Sequence, residues 1–358
     1  MRPKDVLPED IAEAMGLSLG KTWELAKNFK VCFKPRRMQR VGRKHRPIDP
    51  LYPGPKKLLR RLHRWMQKQE WHHPIAHGGI RRRSCFTSAN VHLGQPFVWT
   101  RDASNCYHSV TSERFISALW KLGFRYDTAK LLTLLCTVRG QIPQGSPISG
   151  DALNLFLWAI DQAISSRAGN NSIRPSRVSD DFVLSGRNFD AGDMLTRFIE
   201  DELAKIGIKI NQRKKLKAGL QDSAQDRLVH GISISKRRGT GINRDQTKFA
   251  RELAESYRAS CESVSVESFE ALACKRRTLV GWMHYCRQAH FSPAKHVRRL
   301  LEAGDRKVNK KLGSLSITAN KNKWWIVTRQ RNEPRRIANI WRGRIVSTES
   351  VLSSNMAE

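Results

Sequence analysis

The segment Arg177-Val178-Ser179-Asp180-Asp181-Phe182-Val183-Leu184 constrains the fold more than any other stretch of the chain. Strand-forming residues flank two adjacent carboxylates, and carboxylates are not buried inside a sheet without partners. The simplest solution is a hairpin with arms from Arg174 to Ser179 and from Phe182 to Ser185, its tight turn pushing both aspartates to the tip. A third carboxylate, Asp102, emerges where the buried-strand pattern Phe97-Val98-Trp99-Thr100 ends. Three carboxylates converging between short strands suit two divalent metal ions, and two such ions suit nucleotidyl transfer.

The surrounding pattern supplies the elements that could carry such a hairpin. Apolar spacing predicts helices from Pro8 to about Asn28, Lys56 to Gln69, Ser112 to Leu122, Thr128 to Cys136, Asp151 to Arg167 and Asp190 to Ile206. Phe29-Lys30-Val31-Cys32-Phe33 and Gly207-Ile208-Lys209-Ile210 read as strands, and Leu228 to about Asn243 as a second hairpin. Strand, helix, hairpin, helix and strand in that order predict an α+β fold, an antiparallel sheet with helices on one face. From Asp245 the pattern turns helical, near Lys248 to Cys261, Ser265 to Gln288 and Pro293 to Glu302. The remaining residues are basic and low in apolar periodicity.

Charge narrows the class of partner. Lys and Arg outnumber Asp and Glu by 65 to 32, a net +33 spread from Lys34 through Arg83 to Arg344. Such a spread predicts a polyanion contacted over a long track, and nucleic acid fits better than a membrane surface, for which no amphipathic membrane helix is evident. Near the end, Trp324, Trp325 and Trp341 lie among cations that include Arg335 and Arg336, a mixture suited to stacking on RNA or to anchoring the tail on the helical lobe. The 7 cysteines form no C-x-x-C pair, which predicts a reducing compartment. The first residues lack an apolar signal core and no apolar run is long enough to span a bilayer, so a cytoplasmic protein is expected.

Read together, these segments resemble the reverse transcriptase family from about Val31 to Gln288. Asp102 through Val110 resembles its first palm motif, Pro143-Gln144-Gly145-Ser146-Pro147 its second, and Val178-Ser179-Asp180-Asp181 its third. Gly207 through Lys214 resembles the fourth, and Val229-His230-Gly231-Ile232 the primer-contacting hairpin after it. Within the bacterial branches the resemblance is to retron-type and defence-associated members, through Arg46-Pro47-Ile48-Asp49-Pro50, His77-Gly78-Gly79-Ile80 and Ser88-Ala89-Asn90-Val91-His92. The chain departs from the retron pattern at Ser88, where Asn is usual, at His230, where Thr is usual, and at Val178, where Tyr is usual.

The resemblance implies a right-hand polymerase. Its expected parts are an N-terminal helix and fingers over 1–101, a palm over 102–244 with a fingers segment about 119–142, a helical thumb over 245–305 and a basic C-terminal extension over 306–358. Asp102, Asp180 and Asp181 are the implied catalytic residues and, with the backbone carbonyl of Ala103, the implied ligands of two Mg²⁺ ions, with Mn²⁺ as the alternative; Asp102 and Asp180 are expected to bridge the ions, and Asp181 to complete the negative cluster with less direct ligation. Tyr107 is placed beneath the sugar of the incoming nucleotide, where its ring selects deoxynucleotides, and Gln144 and Gly145 beside the nucleotide or template. Arg46, with Lys44, is placed to clamp the triphosphate from the fingers. Lys214 either serves the departing pyrophosphate or simply contacts nucleic acid. Val178, Val229, His230 and Gly231 fall at the primer and template. His92 and the group His72, His73 and His77 read as satisfied core or RNA-contacting histidines, since no ligand spacing completes a metal site. The implied partners are a structured non-coding RNA, its cDNA product, dNTPs and an effector protein of an anti-phage system. The competing readings are an intron maturase and a non-catalytic RNA-binding protein.

Overall fold

A computed structural model describes residues 1–41, 44–213, 215, 220–222, 226–235, 239–263, 269–289, 293–311 and the strand segments 315–320, 323–328, 337–341 and 344–346. They fall into two compact units, Met1–Thr240 and Gly241–Glu358. The first opens with α1 (Pro8–Met15) and α2 (Leu19–Lys27) in place of one expected helix. Gly16, left-handed at φ 73°, caps α1, and the Ser18 side chain accepts from the Lys21 N–H to start α2. Phe29–Cys32, expected as strand, is a 3₁₀ turn, because its three-residue period buries both Phe29 and Cys32. The antiparallel pair β1 (Arg37–Val41) and β2 (Lys44–Ile48) follows, then α3 (Pro53–Met66), which buries Leu59, Leu62 and Met66, and α4 (Cys85–Val91).

Next come β3 (Phe97–Ser104), α5 (Cys106–Ser109), α6 (Ser112–Lys121), α7 (Tyr126–Cys136) and α8 (Ser149–Asn170). The sheet is completed by β4 (Arg174–Val178) and β5 (Asp181–Gly186), and after α9 (Phe189–Lys205) by β6 (Lys209–Ile210) and β7 (Leu220–Gln221). Its order is β4-β5-β3-β6, with β7 on β3, and the pairings are antiparallel. The fold is α+β, as the alternation of strand and helix patterns implied. Helices α8 and α9 pack on this sheet, and α9 lies so close that a Cβ at Gly192 would meet the Trp99 ring at 2.3 Å. The opposite face, carrying Ser176, Val183 and Ser185, is met by α4 and by the small hairpin β8 (Leu228–Val229) and β9 (Ile232–Ser233). Its turn residues His230 and Gly231 are both left-handed, at φ 52° and 78°, the conformation that matches strand twist in a two-residue hairpin.

The second unit begins with β10 (Gly241–Ile242) and continues with α10 (Arg244–Ser260), α11 (Phe269–Gln288) and α12 (Pro293–Lys311). Asp305 of α12 accepts from Tyr257 of α10 at 2.5 Å and from Arg276 of α11 at 2.7 Å, tying the three helices together. Beyond them lie β11 (Leu315–Asn320), β12 (Lys323–Thr328), β13 (Ile337–Trp341) and β14 (Arg344–Val346), one antiparallel sheet in that order. The expectation of an aperiodic basic tail is corrected here. Leu315-Ser316-Ile317-Thr318-Ala319-Asn320 alternates apolar and polar residues, a strand period that the surrounding charge obscures. No described helix is long and apolar enough to cross a membrane.

Candidate active site

Backbone register brings the carboxylates together. Asp102 of β3 stands opposite Asp181 of β5, so both side chains leave the same sheet face. Val178 pairs with Asp181 across the hairpin, leaving Ser179 and Asp180 as a two-residue turn. The arms are thus one residue displaced from expectation: Ser179 leaves its strand and Asp181 joins one. The Asp180 carbonyl accepts from the Ala103 N–H at 2.9 Å, locking the turn to β3. Like charges directly opposed across strands destabilise the pair. Asn211 offsets this, its Nδ2 donating to Asp102 Oδ2 at 2.9 Å, and His230 Nδ1 lies 3.7 Å from Asp181 Oδ2. Among the described residues no three His, Cys, Asp or Glu side chains gather closely enough to hold a metal ion. Two of the expected ligands therefore face each other, while Asp180 stands in the turn beyond them.

The turn itself is over-determined. Ser179 holds φ 55°, a conformation costing a non-glycine residue about 1 kcal/mol or more. Arg177 Nη1 donates to the Ser179 carbonyl at 2.8 Å, and the Ser179 side chain lies beside the Tyr107 phenol. Behind the turn, the fully buried Arg177 donates from Nε and Nη2 to Asp161 of α8 at 2.8 and 2.5 Å. Residues 75–78 run along β4, with His77 N–H donating to the Arg177 carbonyl and Arg177 N–H to the Ile75 carbonyl, both at 2.7 Å. Gly78 then touches the turn so closely that a Cβ would lie 2.3 Å from Ser179 N. Burial pushes the Cys106 thiol up to about 12, with the charges of Asp180 and Asp102 adding to it. Burial likewise raises the Tyr107 phenol, helped by Asp180 and opposed by Ser179.

Helix α5 links this centre to the second motif. Tyr107 faces Ser179, while His108 Nε2 lies 3.9 Å from Oδ2 of the buried Asp49. Arg36 grips Asp49 with two bonds of 2.8 and 3.2 Å, and Arg139 lies at 3.4 Å. Asp49 N–H donates to the Gln144 carbonyl at 2.7 Å, and a Cβ on Gly145, at φ 121°, would stand 3.0 Å from the Asp49 carbonyl. Gln144 and Gly145 are therefore docked on the strand that carries Arg46, whose side chain is exposed.

In the β8–β9 hairpin Val229 is fully buried and the His230 side chain is 7% exposed. Lys214, Arg335 and Arg336 lie outside the described residues, as do the side chains of Lys44, Trp324, Trp325 and Trp341, although Lys44 is placed on β2, both adjacent tryptophans on β12 and Trp341 on β13. Three of the four histidines behave as satisfied core: His92 bonds Ser185 and Ser176, His73 bonds Gln162, and His77 bonds Thr87. His72 departs from that expectation, its Nε2 meeting Gln67 at 3.3 Å while its Nδ1 is buried without a hydrogen-bond partner among the described residues. Sequence reasoning missed the Arg177–Asp161 pair, for which no local motif exists, and the roles of Asn211, Gly78 and Asp49, which were visible only as motif members.

No protein-family model matches the chain. In sequence it is similar to the retron Ec86 reverse transcriptase of Escherichia coli, 26% identical over 178 residues that cover 50% of this chain and 54% of that one. It is also similar to the retron Mx65 reverse transcriptase of Myxococcus xanthus, 26% identical over 68% of this chain and 61% of that one. A third relative, the retron Mx162 reverse transcriptase of the same organism, is 28% identical over 49% and 41%. The chain spans about half the length of the curated relatives it matches. Among solved structures it is similar to telomerase from Candida albicans bound to a fragment of telomeric RNA, with a TM-score of 0.44 at 10% identity over 82% of this chain and 65% of that one. In sequence, then, the chain is similar to retron reverse transcriptases over about half to two thirds of its length.

Proposed function

We propose that the protein is an RNA-directed DNA polymerase that binds a structured non-coding RNA and copies part of it into cDNA. The observation that carries this reading is the opposition of Asp102 and Asp181 across β3 and β5, with Asp180 in the adjoining turn. An oxygen-only donor set of facing carboxylates fits a hard divalent cation such as Mg²⁺ or Mn²⁺. Asp102, Asp181 and Asp180, with the Ala103 carbonyl, would hold two such ions. Ions held there would supply Lewis-acid activation of a primer 3′-hydroxyl and charge stabilisation for the leaving pyrophosphate.

The rest of the chemistry belongs to the chain. Asn211 orients the Asp102 carboxylate through a 2.9 Å bond, and Tyr107, beside Ser179, fixes a ring where a ribose 2′-hydroxyl would collide. Gln144 and Gly145 border the nucleotide, while the exposed Arg46, with Lys44, meets its triphosphate from the fingers. The unit Met1–Thr240 serves as fingers and palm, the helices α10 to α12 as thumb. The net charge of +33 suits a long RNA track. All 7 cysteines are free thiols, in keeping with a cytoplasmic setting. The anti-phage role and the effector protein rest on family resemblance alone.

The test is to purify the protein with its co-purifying RNA, add Mg²⁺ and labelled deoxynucleotides, and sequence both RNA and product. DNA complementary to the bound RNA is expected. Absence of DNA, or equal product from Asp180→Ala/Asp181→Ala, would defeat the proposal.

A further inference from the structure

A line of buried polar side chains ends on Asp181. Ser185 Oγ lies 2.7 Å from His92 Nδ1, His92 Nε2 lies 2.6 Å from Ser176 Oγ, and Ser176 Oγ lies 2.7 Å from Ser88 Oγ. Ser88 Oγ in turn lies 3.0 Å from His230 Nε2, and His230 Nδ1 faces Asp181 Oδ2 at 3.7 Å. The members come from β5, α4 and its cap, β4 and the β8–β9 turn. Ser88, His92, Ser176 and Ser185 are at most 1% exposed.

The direction of the hydrogen bonds follows from the terminal group. A carboxylate only accepts, so the 3.7 Å approach, longer than a hydrogen bond, is favourable with Nδ1–H turned toward Asp181, and Nε2 then accepts from Ser88. Ser88 is thereby free to accept from Ser176, Ser176 from His92 Nε2–H, and His92 Nδ1 accepts from Ser185. Every donor in the line points toward Asp181, and such aligned bonds polarise one another. Packing alone does not call for this arrangement, because apolar residues of similar volume fill a core at less cost than desolvated polar groups. His230, the last of the line before the carboxylate, is held at φ 52° by the two-residue hairpin turn, which fixes where its ring starts.

We infer that Ser88 and His230 are positioning residues for the metal-binding carboxylate: the buried line fixes the His230 ring so that Nδ1–H orients Asp181 on the face it shares with Asp102. This rests on the polymerase reading, and the experiment separates the two. In the full-length protein, Ser88→Ala, His230→Gln and the double variant are compared. Gln offers its amide near the Nε2 position, so it keeps the Ser88 contact and loses the one to Asp181. Mn²⁺ affinity is read by electron paramagnetic resonance, and kcat and KM by single-nucleotide incorporation, alongside RNA affinity and melting temperature.

His230→Gln is expected to weaken Mn²⁺ binding and lower kcat about tenfold or more, the usual effect of removing a partner that orients a metal ligand. KM for the nucleotide and RNA affinity should hold within about twofold. Ser88→Ala should lose less, and the double variant no more than His230→Gln, because Ser88 acts only through His230. Wild-type Mn²⁺ affinity and kcat in His230→Gln would overturn the inference. So would additive losses in the double variant, or losses that track RNA affinity and melting temperature. If the wild-type protein incorporates no nucleotide, the polymerase reading fails, and the Mn²⁺ affinities still decide the role of the line.

Discussion

Replacing Asp161 by Asn tests what holds the aspartate turn in place. The substitution keeps shape and leaves the fully buried Arg177 guanidinium without a compensating charge. Burial alone would lower the Arg177 pKa, yet Asp161 holds it above its ordinary value, so the cation persists and its desolvation becomes uncompensated. Breaking a buried ion pair from one side costs about 3–5 kcal/mol. For a unit of this size each kcal/mol moves the melting temperature about 2–4 °C, which gives a fall of about 6–20 °C. Differential scanning calorimetry measures the fall, and nucleotide incorporation well below the transition measures the turn. Arg177→Met/Asp161→Leu should regain most of the melting temperature, since apolar replacement of a buried pair is close to neutral. It should not regain activity, because the Ser179 carbonyl has lost its 2.8 Å donor. An Asp161→Asn protein melting within about 2 °C of wild type would refute the reasoning.

Other perturbations follow from the same geometry. Gly78→Ala drives a methyl group against the backbone N of Ser179 and is expected to cost about 1–3 kcal/mol and most of the incorporation activity, read by melting and primer extension. Tyr107→Val should relax sugar selection about tenfold or more in competition assays between deoxy- and ribonucleotides, while Mg²⁺ dependence stays the same. Val178→Tyr, beside Asp181 on the same face, should alter primer handling, and unchanged product length and fidelity would contradict that. His92 titrates at about 3, lowered chiefly by burial, with the charges of His230, His77 and Arg174 adding. The unfolded chain therefore takes up this proton first, so stability is full above the ordinary histidine pKa of 6.5 and is lost as pH falls toward 3. Urea midpoints across that range should decline less steeply in His92→Gln.

The hairpin was legible in the sequence because its signal is local: strand formers on both sides of a polar pair, with Asp102 closing a third apolar run. Its exact register was not, since Val178↔Asp181 is set by a left-handed Ser179 that three neighbours impose. The break between α1 and α2 had a readable cause in Gly16 and Ser18, yet apolar spacing carried the expected helix across it. The C-terminal sheet was hidden for the opposite reason, because basic residues dominate the composition around a true two-residue alternation. Long-range pairs left no trace in any window. Arg177 meets Asp161 and Ser88 meets His230 only once the sheet, α4 and α8 are assembled. Ser88 and His230 stood out in the sequence merely as departures from the retron pattern, and the 3.0 Å contact makes them one feature.

The central claim is that Asp102 and Asp181 together support metal-dependent nucleotidyl transfer. Its most direct measurement is single-turnover incorporation of one deoxynucleotide on an RNA template, with Mg²⁺ titrated against wild type, Asp102→Asn and Asp181→Asn. The account predicts Mg²⁺-dependent incorporation in wild type and a loss of about a thousandfold or more in each variant, the several kcal/mol that ion-held charge stabilisation supplies. Wild-type rates in either variant, or incorporation that does not respond to Mg²⁺, would contradict it.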